Sequence, residues 1–477
     1  VSLIHLPSTQ TSPWAAVALR FERWARRNNR VVVVTVAVAG ALLAWLRLPP
    51  VARDTLWAED GRNFLQNAMQ SGPIDSLFVP YAGYLHTVPR VIAAITVQFA
   101  PVADYAQWMT AGACLAAGAI AAIVYVTSVD IVRSVPVRLV LSGITVLAPL
   151  APREVLGNVA NLHSLVLWGL FWMLLYRPRS RHGAVALGIV ALLGSLTEIQ
   201  SVFLLPLLLW RPRDRRGWPL RLGFAIGALA QVAVTLVWSR NPNTTAPAGL
   251  ASTLYGYLIN AVMPIWLPQS AIGPALVAGG GALAFALVLP FVAAAAVAVW
   301  HGSPRQRIAV IGLAAGSLTV YGVSIALNPA PFYDYASMSP SQLATVWLAR
   351  YGVVPSMMLL AIPLVAVSTV TGRAGVGSAL PRRIPPRIRA RRTPRIRTRP
   401  GPRTTVGATS ARLAVVGVVL VLVLAQFVPQ YTRRSAGPAW QPQLASAEKY
   451  CEGKPGRAFA TLKETISWHV DVACWRL

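Results

Sequence analysis

Acidic residues are scarce: 15 Asp and Glu stand against 43 Lys and Arg in 477 residues, a formal charge of +28. Cysteine is scarcer still, at three, which excludes a disulfide-stapled scaffold and a many-thiolate metal cluster. The chain also lacks a metalloprotease helix, a phosphate-binding loop and a serine elbow, which removes the chemistries those motifs support. In a soluble protein so basic a balance points to nucleic acid. Here 55% of the residues are hydrophobic, and the apolar runs Val31 to Leu46, Gly279 to Trp300 and Leu413 to Val428 are long enough to cross a bilayer. The sequence therefore reads as an all-α polytopic membrane protein with membrane lipids, and no nucleic acid, as partners. In such a chain the position of the bases matters more than their sum.

Arginine clusters recur between the apolar runs, at Arg20 to Arg30, at Arg133 and Arg138, from Arg177, from Arg211, before Ile308, and in a long tract from Arg373 to Arg412. If all of them face the cytoplasm, each neighbouring pair is separated by an even number of crossings. That condition makes Leu85 to Ala100 a short helix on the outer face, because counting it as a span reverses every later loop. It also divides Ala184 to Trp210 into two short helices that meet at an outer turn around Glu198. About eleven transmembrane helices result, with the N-terminus inside and the C-terminus outside. Residues 1–30 then form a cytoplasmic segment, 31–428 the transmembrane domain and 429–477 a small extracytoplasmic tail. Within the domain, 53–100 is the first outer loop and 373–412 a basic cytoplasmic loop resting on anionic lipid. Arginine-rich residues precede the first apolar run and no small-residue cleavage site follows it, so Val31 onward reads as a retained span rather than a signal peptide. Cys114 falls inside a span. Cys451 and Cys474 fall in the tail, where a disulfide would stabilise an ordered lid by roughly 3 kcal/mol.

Most acids then lie on the outer side, and the stretch "WAEDGRNFLQNAMQ" places Glu59 and Asp60 together at the start of the first outer loop. At a helical period, Asp60 to Gln70 sets Phe64, Leu65, Ala68 and Met69 on one arc and Arg62, Asn63, Gln66, Asn67 and Gln70 on the other, an amphipathic surface helix with both acids in its first turn. Tyr84, His86 and Arg90 follow on the same loop. Glu154, Asn158, Asn161 and His163 form the second outer loop, Glu198 marks the third, and Arg350 and Tyr351 lie at the mouth of a late span. Polar and ionisable residues gathered at one membrane face suit a cleft for a charged, lipid-borne ligand. The paired acids can supply a general base for a hydroxyl or ligands for a divalent metal, and Arg350, Arg90 or His86 can stabilise a phosphate. The plain structural roles are helix capping for the acids and headgroup anchoring for Arg350.

The acidic pair, the surface helix behind it and the many spans, with "WAEDGRNF", "PYAGYLHTVPR", "PREVLGNVANLH" and "ARYGVVPS", resemble the GT-C class of membrane glycosyltransferases, in particular bacterial members associated with cell-surface glycans. The resemblance implies GT-C-like surface helices on the outer face of a plasma-membrane enzyme. It implies an inverting hexosyl or pentosyl transfer from a polyprenyl-phosphate-sugar donor to a glycan or glycolipid acceptor of the cell envelope. An acid of the first loop is then the base, at Glu59 or Asp60. We expect Asp60 in that role, with Glu59 supporting the acceptor or a divalent metal; some members of the class need no metal. Two other functions use many spans and an anion cleft. A lipid-linked glycan transporter or flippase places its charges along a transbilayer route, whereas here most of the acids keep to one face, with Asp130 and Asp214 as inner exceptions. A glycan polymerase or ligase uses paired arginines in a late outer loop, where this chain offers Arg350 alone.

Overall fold

A computed structural model describes residues 13–238, 240, 245–375 and 402–477. Most of the basic tract from Arg373 to Arg412 lies outside them. Among the described residues the chain is helical apart from one antiparallel hairpin, β1 (Phe459–Lys463) and β2 (His469–Ala473), in the C-terminal tail. Seven helical segments are long and apolar enough to cross a membrane: Asn29–Leu46, Val102–Asp130, Val135–Glu154, Arg215–Val237, Gln269–His301, Pro304–Leu327 and Arg350–Thr369. Shorter apolar helices cover Thr87–Phe99, Leu162–Leu175, Arg181–Ser195, Ile199–Leu209 and Ser410–Leu424. The chain is thus a multi-span helical membrane protein. The expected eleven crossings comprise the seven long segments and four of the shorter helices, all but Thr87–Phe99.

Small residues set the closest helix pairs. A Cβ on Gly118 would overlap the carbonyl of Ala37, and one on Gly223 would overlap the carbonyl of Gly188. Helix Tyr105–Thr127 therefore lies backbone-close to Asn29–Leu46, and Trp218–Val237 to Arg181–Ser195.

The basic clusters converge on one face. Arg26 donates to the Arg133 carbonyl at 2.9 Å, Asp130 pairs with Arg305 at 3.6 Å and Arg179 at 3.8 Å, and Arg177 pairs with Asp214 at 2.7 Å. Five of the six clusters read from the sequence meet there, as the parity of crossings requires. At the opposite face, Thr87 bonds the Leu196 carbonyl while Trp440 of the tail bonds that of Val102, just beyond the other end of Thr87–Phe99. Both ends of that helix stay at one face, so it does not cross. The chain also breaks between Ser195 and Ile199, where Glu198 caps the next helix by accepting from Gln200 N–H.

The expected amphipathic surface helix is different in kind. Asp60–Leu65 is a π-helical turn continued by Gln66–Gln70, and the tail covers its polar arc: Arg62 lies over the Trp468 ring and Gln66 accepts from Asp471 N–H. The tail is itself ordered by helix Gln441–Cys451, the hairpin and a disulfide between Cys451 and Cys474.

Three helix ends at this face share one cation. Arg47, 1% exposed, donates to the carbonyls of Val146 (2.5 Å), Ala148 (3.1 Å), Gln426 (3.0 Å) and Phe427 (3.0 Å). Carbonyls at a helix C-terminus have no partner within the helix, and burial makes leaving them unpaired expensive. Arg47→Leu is expected to destabilise the protein by about 3 kcal/mol or more, read as a lower melting temperature in detergent, with exposed Arg27→Leu as the reference. Equal melting temperatures would show that those carbonyls have other partners.

Candidate functional site

A cleft of about 140 Å³ opens at the face opposite the basic clusters, and Glu59, Tyr84, His86, Asn161, His163, Glu198, Arg350 and Tyr351 all line it. Four separate stretches of sequence, each expected to lie outside, thus meet in one hollow. Asp60, Arg90, Glu154 and Asn158 do not line it.

The two adjacent acids part company. Asp60 is 1% exposed and turned inward, where it accepts from the backbone N–H groups of Val159 (3.1 Å) and Ala160 (2.7 Å). Arg434 of the tail approaches the same carboxyl and donates to the carbonyls of Gly157 (2.8 Å) and Leu156 (2.9 Å). Burial pushes the Asp60 carboxyl up to about 7, against the pull of those N–H groups and Arg434. Asp60 therefore joins the first loop to the second and has no path to a bound hydroxyl. Glu59 faces the cleft, and its Oε2 is buried without a hydrogen-bond partner. A carboxylate oxygen in that position is expected to bind something.

Arg350 enters from the other wall. Glu154, 6% exposed, holds it through Nη1 at 3.4 Å and holds Arg433 of the tail at 3.1 Å, leaving Arg350 Nε buried and unpartnered. Glu154 thus orients a cation of the cleft. Asn158 and Asn161 brace the same turn, Asn161 N–H donating to Asn158 Oδ1 at 2.9 Å and Asn161 Nδ2 to the Glu154 carbonyl at 3.0 Å.

His86 is 3% exposed, and burial, with His163 and Arg90 nearby, holds its imidazole well below the usual range. As a neutral ring whose Nε2 donates to the Tyr81 carbonyl at 3.2 Å, it presents Nδ1, which is unpartnered, as an acceptor. A neutral ring offering an acceptor suits a hydroxyl donor rather than the phosphate we expected it to hold. Arg90 packs 5.2 Å over the Phe64 ring, and none of its guanidinium nitrogens has a partner among the described residues; that packing keeps it behind the cleft wall. His163 pairs through Nδ1 with Glu198. Sequence reasoning missed Arg240, which lines the cleft and is fixed by the Leu327 carbonyl (3.0 Å) and Asn328 Oδ1 (2.8 Å). As an isolated arginine beside a polar loop, it carries no pattern that marks it.

An apolar groove of about 560 Å³ leaves the cleft between Ile199–Leu209 and Pro304–Leu327, with Leu167, Gln200 and Val320 common to both hollows. Among the described residues no group of three or more His, Cys, Asp or Glu is placed to hold a metal ion. Comparison with known proteins finds no matching family model, curated protein or solved structure.

The tail closes over the loop that bears Glu59. Gly61 N–H donates to Glu464 Oε2 at 3.1 Å, and burial, with Asp60 and Glu59 repelling, pushes the Glu464 carboxyl up to about 9. Asp60 and Glu464 both bind protons more tightly folded than unfolded. Their contribution to stability is present in full below about pH 4 and is lost as pH rises through about 7 and then about 9. Amide exchange in the tail, corrected for its intrinsic pH dependence, is expected to quicken over that window, and Glu464→Gln to flatten the response. A pH-independent wild type would remove this account of the contact.

Proposed function

We propose that the chain is an inverting glycosyltransferase of the GT-C class, with about eleven crossings and GT-C-like surface helices in the bacterial plasma membrane. In this reading the basic clusters lie on the cytoplasmic side and the cleft outside. The enzyme moves a sugar from a polyprenyl phosphate to a hydroxyl of a cell-envelope glycan or glycolipid. One observation carries the reading: Glu59 directs an unpaired, buried carboxylate oxygen into a cleft shared with Arg350.

The chemistry follows from those positions. Glu59 takes the proton of the acceptor hydroxyl as its oxygen attacks the anomeric carbon, and the bond from that carbon to the phosphate oxygen breaks on the opposite side. Arg350, oriented by Glu154, and Arg240 meet the charge that the departing phosphate gains. His86 Nδ1 accepts from a sugar hydroxyl. The groove receives the prenyl chain: eleven residues of tight helix rise roughly 22 Å along its wall, more than the roughly 15 Å of one leaflet's hydrocarbon. No cytosolic nucleotide site is needed, because the phosphate arrives on the lipid. The base is thus Glu59 rather than Asp60, which takes a positioning role.

Sugar transfer in reconstituted membranes supplied with polyprenyl-phosphate sugars tests this. Glu59→Gln is expected to slow transfer by roughly 10²–10⁴-fold with the melting temperature retained. Asp60→Asn is expected to lower the melting temperature while protein that stays folded keeps most of its turnover. Full transfer by Glu59→Gln would remove Glu59 as the base. Transfer lost in folded Asp60→Asn but not in Glu59→Gln would exchange the two roles.

A further inference from the structure

The opposite end of the groove carries a second feature that transfer does not use. A hollow of about 430 Å³ on the basic face is lined by Arg177, Arg211, Pro212, Arg213 and Asp214. Asp214 is already engaged, pairing with Arg177 at 2.7 Å and accepting from Arg216 N–H at 3.3 Å. The guanidinium groups of Arg211 and Arg213 make no ion pair among the described residues. The turn bearing them is held from below, because Arg221 Nη2 donates to the carbonyls of Trp210 (2.7 Å) and Arg211 (3.0 Å). The turn thus carries two exposed, unneutralised cations beside the hollow.

Apolar surface adjoins it directly. Trp210 lines the lower end of the groove and Arg211, the next residue, lines the hollow. Leu209, also on the groove, is 78% exposed. A ligand that fills both has a phosphate at one end and a hydrocarbon chain at the other.

We infer that this is a binding site for one anionic phospholipid of the leaflet on the basic face, its phosphate between Arg211 and Arg213 and one acyl chain along Leu209 and Trp210. A zwitterionic headgroup adds an ammonium that two unpaired arginines repel, so the site selects net negative charge. The lipid is a bound ligand rather than a substrate, and the site stands whether or not Glu59 is a base. Its acyl chain occupies the lower mouth of the groove that opens, above, into the cleft.

The test titrates the purified full-length protein in detergent with phosphatidylglycerol and with phosphatidylcholine of the same chains, counting bound lipid by native mass spectrometry. Wild type is expected to retain one phosphatidylglycerol in preference to phosphatidylcholine. Arg211→Gln with Arg213→Gln is expected to weaken it roughly thirtyfold, at about 1 kcal/mol per arginine. Arg20→Gln with Arg30→Gln, which removes equal charge elsewhere on that face, is expected to leave it unchanged. Ala315→Phe, which fills the groove wall, is expected to weaken the phospholipid while leaving inorganic phosphate binding as it was. Equal retention of the two lipids, equal loss in both arginine pairs, or inorganic phosphate binding as tightly as the phospholipid would each overturn the site.

Discussion

Buried arginine on buried backbone carbonyl is the interaction on which the cleft face depends. Helices end here in carbonyls that have no partner within the helix. Arg47 gathers the ends of Val135–Leu147 and of the last span. Arg434 does the same for the turn at Leu156 and Gly157, and Arg153 donates to the Leu348 carbonyl at 3.0 Å. A guanidinium supplies five donors in a fixed plane and stays charged when buried, so one side chain can serve several chain ends where a lysine could not. The result is a rigid floor of backbone across one face, and the cleft is the gap left in it.

Charge on the two faces consequently has different meanings. On the basic face the arginines are mostly exposed and meet acids that the sequence supplies sparingly, namely Glu22, Asp130 and Asp214. On the cleft face Arg47, Arg90, Arg153 and Arg434 are buried and Arg350 and Arg433 half-buried, directed at carbonyls, rings or single carboxylates. Glu154 serves Arg350 and Arg433 together, and Arg433 lies 3.5 Å over the Trp347 ring. Many of these cations are satisfied by backbone and by aromatic faces rather than by carboxylates.

The many-span helical class was legible in the sequence, and the gathering of arginine clusters on one face followed from a counting argument that needs no tertiary contact. The count set Thr87–Phe99 apart from the spans and placed a break at Glu198, where the structure has one. The site was legible as a set of loops and illegible as a geometry. Whether Glu59 or Asp60 faces the cleft is decided by the N–H groups of Val159 and Ala160, 99 and 100 residues further on, and no local pattern reports where those point. The amphipathic period of 60–70 was real, but a periodicity cannot say whether a polar arc meets water or another part of the same protein. Arg47, Arg240 and Arg434 escaped notice for a similar reason: an arginine beside an apolar run looks the same whether it anchors at headgroups or ties helices together.

The hydrogen bond from Gly61 to Glu464 joins residues 403 positions apart. Contacts of such separation form late, because chain entropy opposes them until the intervening helices are in place. The backbone two residues after Glu59 is therefore braced by material synthesised long after it. A nascent chain paused among its later spans already carries Glu59, His86 and His163, yet lacks the tail that braces the backbone beside Glu59 and pairs Arg433 with Glu154. Assembly of the helical part and bracing of the Glu59 loop are separate events, and the second waits for the tail.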